Sequence, residues 1–275
     1  MRAHSGQGGF TLVELVMVIV LLGVISGMVT VFMKSPIDAY VASARRAGLT
    51  DVADTAARRM ARDIRKALPN SIRTPSNQCL EFIPTKSGGR YRAENLMAGD
   101  GTSLDVTVAD SAFNMLGSNA ALPSDQRLAV GDVVAVYNLG ISGVDAYNQD
   151  NTSDVTALGT ETSAPIETPI QITAKRFPLE SPAHRLHVIP KDEKVVAYVC
   201  SGGDLHRTAS TTFYSETSAS VCPTTGPILA RNLTCTFDYS GSDLQRNALV
   251  RMVLQFTQSD EIISLQQEVH VSNAP

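Results

Sequence analysis

The sequence contains no tryptophan, and its aromatic residues are 7 tyrosines and 8 phenylalanines. A core made from it rests on Val, Leu, Ile and Ala. A platform for stacking sugars or bases has little to draw on, since Tyr91, Tyr137 and Tyr147 stand apart. The signatures of common chemistries are missing as well. There is no GxSxG, no HExxH, no GxxxxGK[ST], and no GxGxxG between a strand and a helix. His184 and His187 are three apart in an expected strand, which points them to opposite faces. His206 and His270 stand alone. Nothing here assembles a catalytic constellation, so the chain reads as no enzyme, with no cofactor. Its four cysteines form no CxxC pair, and no histidines sit at metal-ligand spacing, which argues against a zinc site.

Charge is spread unevenly. The net charge is −4, yet residues 34–68 carry 8 Lys and Arg against 4 Asp and Glu, giving +4. From Pro69 onward 14 basic residues face 22 acidic ones, giving −8. An acidic C-terminal part repels phosphate backbones, so no nucleic-acid partner is expected. The basic stretch reads as a solvated or subunit-facing helix side.

Only one apolar run reaches membrane length. Leu15 to Met33 is 19 uncharged, mostly apolar residues, about 28 Å as a helix at 1.5 Å per residue. An ordinary signal peptide carries its cleavage site after such a run, at small residues. Here a glycine pair, Gly8-Gly9, precedes the run, and no A-x-A site follows Met33. Glu14 stands at the entry of the run, where an unpaired carboxylate costs kilocalories and calls for a partner. The helical pattern also continues beyond Pro36, with apolar residues at Ile37, Tyr40, Val41, Ala44, Leu49, Val52, Ala56, Met60, Ile64 and Leu68. Arginines at 45, 46, 58, 59, 62 and 65 take the opposite face. Pro69 ends the pattern, with Leu68 as the expected last helical residue. Pro36, Gly23 and Ser26-Gly27 are the expected places for a bend.

Gly9-Phe10-Thr11-Leu12-Val13-Glu14 followed by an apolar run resembles the N-terminus of type IV pilins and type II secretion pseudopilins. Within that superfamily the chain resembles minor pilins of MSHA-type pili. The stretches that carry this are residues 8–20, RDIRKALPNSIR at 62–73, CLEFIP at 79–84, VVAVYNLG at 133–140, VAYVC at 196–200 and EVHVSNAP at 268–275. The resemblance implies a leader, residues 1–9, removed by a prepilin peptidase between Gly9 and Phe10, and N-methylation of Phe10. It implies a transmembrane and assembly helix over 10–33, its amphipathic continuation over 34–68, and an exported head over 69–275. Glu14 and the new Phe10 amine form a charge pair between neighbouring subunits in this reading, each cancelling a charge otherwise stranded among apolar helices. The subunit at the extreme filament tip can lack that glutamate in this superfamily, so Glu14 implies docking beneath another subunit. The implied partners are the peptidase, other pilins and minor pilins, the inner-membrane assembly platform and membrane lipid. The implied place is the inner membrane with a periplasmic head, then the filament or its tip. The positive-inside count runs against this orientation, with Arg2 before the run and Lys34, Arg45 and Arg46 after it. The orientation therefore rests on the processing motif.

After Pro69 short runs of Val, Ile, Leu, Thr and Tyr alternate with Gly, Pro, Ser, Asn and Asp clusters. The expected strands are 80–83, 103–108, 133–138, 170–174, 185–189, 194–200, 234–239, 249–257 and 262–271. The last two form an antiparallel hairpin through Gln258–Glu261, and Ser201-Gly202-Gly203-Asp204 is a turn. The fold class is α+β, one long helix on an antiparallel sheet, with long irregular loops at 87–132 and 140–169. Asp145, Asn148, Asp150, Asn151 and Asp154 in the second loop raise the question of calcium, but their spacing fits no EF-hand loop, so a solvated loop is the expectation. Cys79, Cys200, Cys222 and Cys235 imply one or two disulfides. All three complete pairings stay open, and the turn-rich stretch between Cys200 and Cys222 favours that pair.

Overall fold

The structure, a computed structural model, describes residues 9–97, 100–218, 220–240, 247–259 and 261–275. The chain divides into two units at Thr50/Asp51. A single helix, α1 (Leu12–Ile64), begins in the first and ends in the second. It continues through Gly23, Ser26-Gly27 and Pro36 without a break in its assignment, at each place where the sequence suggested one.

In the first unit every large apolar side chain from Leu12 to Met33 is exposed. So are Ile37, Tyr40 and Val41, the expected start of the buried stripe. In the second unit the helix buries Ala53, Ala56, Ala57, Met60, Ala61 and Ile64, while Val52 faces out. That spacing is one helical face, made mostly of alanine. The helix stops at Ile64, short of Leu68. The amides of Lys66 and Ala67 bond to the carbonyls of Asp63 and Ile64, three residues back. The Leu68 amide then bonds to the Ile83 carbonyl at 2.7 Å, and Ala67 bridges Pro84. Pairing with the following strand ends the helix before Pro69 can.

Strands β1 (Arg73–Ser76) and β2 (Cys79–Phe82) come first. Next come β3 (Ser87–Tyr91), β4 (Asp110–Leu116), β5 (Val133–Val136), β6 (Thr152–Leu158), β7 (Glu167–Lys175) and β8 (Arg185–Ile189). These six close into a barrel of order β3-β4-β7-β6-β5-β8. Then β9 (Val195–Ser201), β10 (Asp204–Ser210) and β11 (Ile228–Arg231) complete a five-stranded sheet, β1-β2-β9-β10-β11. Finally β12 (Leu233–Ser240), β13 (Asn247–Gln258) and β14 (Glu261–Ser272) form a three-stranded sheet in that order. The result is one long N-terminal apolar helix followed by antiparallel sheets.

The barrel is thus an insertion between two strands that pair directly, Cys79 lying opposite Val199. Segments expected to be irregular supply β3, β4 and β6. The expected strand at 103–108 is instead a turn. Asp105 Oδ1 accepts from the Thr107 amide and hydroxyl at 2.8 and 2.6 Å, which curls the backbone. The barrel interior is filled by Tyr91, Phe113, Leu128, Val134, Val136 and Phe177, among others. The outward residues Val133, Ala135 and Ile189 pack with Leu68, Ile83 and Val195, so β5 is buried on both faces. The β9–β10 hairpin turns through Gly202 and Gly203, both at positive φ (62° and 87°), as a two-residue type I′ turn requires. At the end of α1, Asp63 Oδ2 accepts from the Tyr198 hydroxyl on β9 at 2.7 Å and from Arg207 Nε on β10 at 2.9 Å.

Candidate functional site

Gly9, Phe10 and Thr11 lie outside the helix, which opens at Leu12. Thr11 is its N-cap. The threonine carbonyl accepts the Leu15 amide at 3.2 Å, and its hydroxyl accepts the Glu14 amide at 3.3 Å. Glu14 therefore occupies the third helical position, the glutamate place of a capping box, and its negative charge stands in the positive first turn. The sequence held this signal in Thr-x-x-Glu ahead of an apolar run. Weighing Glu14 only as a charge in an apolar run passed over Thr11.

Phe10 is 81% exposed. A side chain built on Gly9 would meet nothing within 4 Å. The chain's own packing does not require a small residue at Gly9, so any such requirement comes from whatever binds this segment. Residues 1–8 of the expected leader lie outside the described residues.

The four cysteines pair as Cys79–Cys222 and Cys200–Cys235. The favoured Cys200–Cys222 bond does not form, because alternation along a strand decides the matter. Cys79 sits opposite Val199 and shares its face, where Ala197 and Cys222 also pack. Cys200, one residue on, points to the other face. Cys79, Glu81 and Cys222 bring three potential ligand atoms together, but both sulfurs are committed to the disulfide. Glu81, fully buried, is also engaged. Its Oε2 accepts from Arg73 Nε at 2.8 Å, and its Oε1 accepts from the Tyr214 hydroxyl and the Cys222 amide. The Arg73 guanidinium lies 3.7 Å from the Tyr147 ring centre.

The polar loop does not gather its carboxylates into a site. Asp145 caps the short 3-10 turn Ala146–Asn148, accepting from the Tyr147 amide. Burial raises its carboxyl above the usual range. Asp150 accepts from the Asp145 amide, Asn151 donates to the Val136 carbonyl and Asn138, and Asp154 pairs with Lys194. His184 stands by Glu180 and edge-on to Tyr91, before β8. His187 lies within β8, where burial and then the Arg185 charge push it down to about 4. His206 contacts the Gly226 carbonyl, and His270 is exposed on β14. The structure brings no two of these four histidines to one site.

The helix contains a stretch long and apolar enough to cross a membrane, with none of that window buried within the chain. Residues 4–30 match the family model described as the prokaryotic N-terminal methylation motif. No curated protein and no solved structure matches the chain. The motif implies processing by a prepilin peptidase and assembly with other pilins, and with the helix it is consistent with membrane anchoring and a pilus. An N-terminal methylation motif running into one apolar helix supports a type IV pilin-like, prepilin-type protein, structural in character.

Proposed function

We propose that this chain is a minor pilin of an MSHA-like type IV pilus, resembling the MSHA biogenesis protein MshO. It is made as a prepilin, cut between Gly9 and Phe10, and N-methylated on Phe10. The apolar part of α1 holds it in the inner membrane with the head, from Pro69 onward, in the periplasm. It then enters the complex that starts or tips the filament, in a pilin fold enlarged by the barrel. The observation that carries this reading is the methylation motif at residues 4–30, with its exposed Gly9-Phe10 joined to a capped helix bearing Glu14.

Cutting before Phe10 places a new ammonium group beside Thr11, at the positive end of α1, where like charges meet. Glu14 offsets both. In a filament it is free to serve the amine of a neighbour instead, which sets register between subunits.

The test scores processing and piliation separately in two variants. Gly9→Ser is expected to leave an uncut precursor. Glu14→Val is expected to be cut yet to assemble poorly, and normal piliation there removes the charge pair. A C-terminal phosphatase fusion that is inactive in intact cells would overturn the orientation. A type II secretion minor pseudopilin is the alternative reading, separated by whether deletion abolishes pili or secretion. The inserted barrel favours a third role, surface recognition at the tip, which glycan binding by the intact protein would support.

A further inference from the structure

Closing β3–β8 into a barrel removes six strands' worth of open edge. In the five-stranded sheet both edges, β1 and β11, are only four residues long. The outer side of β12 is partly engaged, since the Phe237 amide bonds to the Asn77 carbonyl and the Leu233 amide to the Gly203 carbonyl. β14 differs. It has 12 residues, about 40 Å of strand, and is an edge of its sheet. Its pairing with β13 runs from Ser272 to Glu261 without a register break. The strand contains no proline, no lysine and no bulge, the usual devices that stop an edge from pairing.

The flanks of this edge are specific. Ile263, Leu265 and Gln267 lie opposite Phe256, Leu254 and Met252, which are fully buried, yet remain partly exposed themselves. Gln267 also lines a groove of about 410 Å³ with Asp54, Arg58, Ala61, Arg62 and Arg65 of α1. Arg58, Arg62 and Arg65 fall on one helical face. Arg58 pairs with Asp54, and among the described residues no ion pair joins Arg62 or Arg65.

We propose that β14 is a docking edge for an extended, acidic segment of a partner protein. The segment's backbone continues the ladder as a fourth strand of this sheet. Its alternate carboxylates meet Arg58, Arg62 and Arg65 on the Gln267 side, and the apolar side chains between them point to the opposite face, where Ile262 is exposed. A second copy fits less well. Antiparallel pairing of β14 with itself would oppose two arginine faces, and β14 offers only Glu261 and Glu268 in return. This inference is independent of whether the leader is cleaved.

The test uses the full chain in detergent micelles and a capped ten-residue peptide alternating Thr or Val with Glu or Asp. Binding is read by fluorescence anisotropy, and its place by amide exchange. The expected result is protection of 261–272, with affinity falling at least tenfold in R62Q/R65Q. Two peptides N-methylated on alternate amides separate backbone pairing from charge, and one of them is expected to bind at least tenfold more weakly. Undiminished binding of both, or protection elsewhere, overturns the proposal. Equal affinity and equal protection by a ten-nucleotide oligothymidine reassigns the groove to polyanions. Self-association that protects β14 and excludes the peptide gives the edge to a second copy, which also overturns it.

Discussion

Arg73 and Glu81 form a buried ion pair across the β1–β2 hairpin, Nε to Oε2 at 2.8 Å, with side-chain exposures of 9% and 0%. Each is held on its other sides too, Arg73 over the Tyr147 ring and Glu81 by the Tyr214 hydroxyl and the Cys222 amide. Three distant stretches of sequence, at 73–81, 147 and 214–222, meet at this pair. Breaking it from one side strands a charge without water, so Glu81→Leu is expected to cost about 3–5 kcal/mol. The double variant Arg73→Met/Glu81→Leu removes both charges and is expected to cost much less than the sum of the singles. Chemical denaturation of the four proteins in a double-mutant cycle measures this. Additive costs would show that the pair contributes nothing as a pair.

The disulfides give a second prediction. Peptide mapping without reductant is expected to recover Cys79–Cys222 and Cys200–Cys235 and no Cys200–Cys222 species. Cys79→Ser/Cys222→Ser opens a loop closed across a sequence separation of 143, and Cys200→Ser/Cys235→Ser one closed across 35. Each double variant is expected to lose about 2–5 kcal/mol, with the longer loop toward the upper end.

How far the sequence showed these things depended on period. β9, β13 and β14 were legible because an unbroken apolar run or a long alternation leaves one reading. The barrel was not. Its β3, Ser-Gly-Gly-Arg-Tyr, looks like a loop, and β6 is mostly polar, because each strand depends on closure for its place. The segment Leu104–Val108 alternates like a strand, and Leu104 and Val106 do reach the barrel core. Asp105 and Asp110 nevertheless bend it by binding local amides, a competition that apolar pattern does not register. At the N-terminus the motif was legible, and it falls within the matched residues 4–30. The cap at Thr11 was written in the same six residues and masked by the louder charge at Glu14.

His187 gives the head a pH dependence of definite sign. Burial depresses its folded-state pKa from 6.5 to about 4. Between those values the unfolded chain binds the extra proton, so stability rises with pH across this window and is complete above about 6.5. At about 1.36 kcal/mol per unit, roughly 3 kcal/mol is lost on going from pH 7 to pH 4. His187→Gln is expected to flatten that part of the profile, and urea titrations of both proteins at several pH values read the difference. A profile equally steep in both would assign the slope to other groups.

Thr11 and Glu14 separate two roles that Glu14→Val alone confounds. That substitution removes a polar side chain from the capping-box place and a charge together. Gln at the same position keeps a side chain able to take the capping-box place, because an amide oxygen can accept from the N-cap amide as a carboxylate can. It removes only the charge. Thr11→Val does the reverse, losing the hydroxyl that accepts the Glu14 amide while leaving the carboxylate in place. If Glu14 serves a neighbour's amine, Glu14→Gln assembles as poorly as Glu14→Val, and Thr11→Val assembles nearly normally despite about 1 kcal/mol of lost capping. If Glu14 serves its own helix, Glu14→Gln assembles normally and Thr11→Val carries the defect. Counting filaments on cells that process all three variants equally decides between them, and the expected outcome is the first.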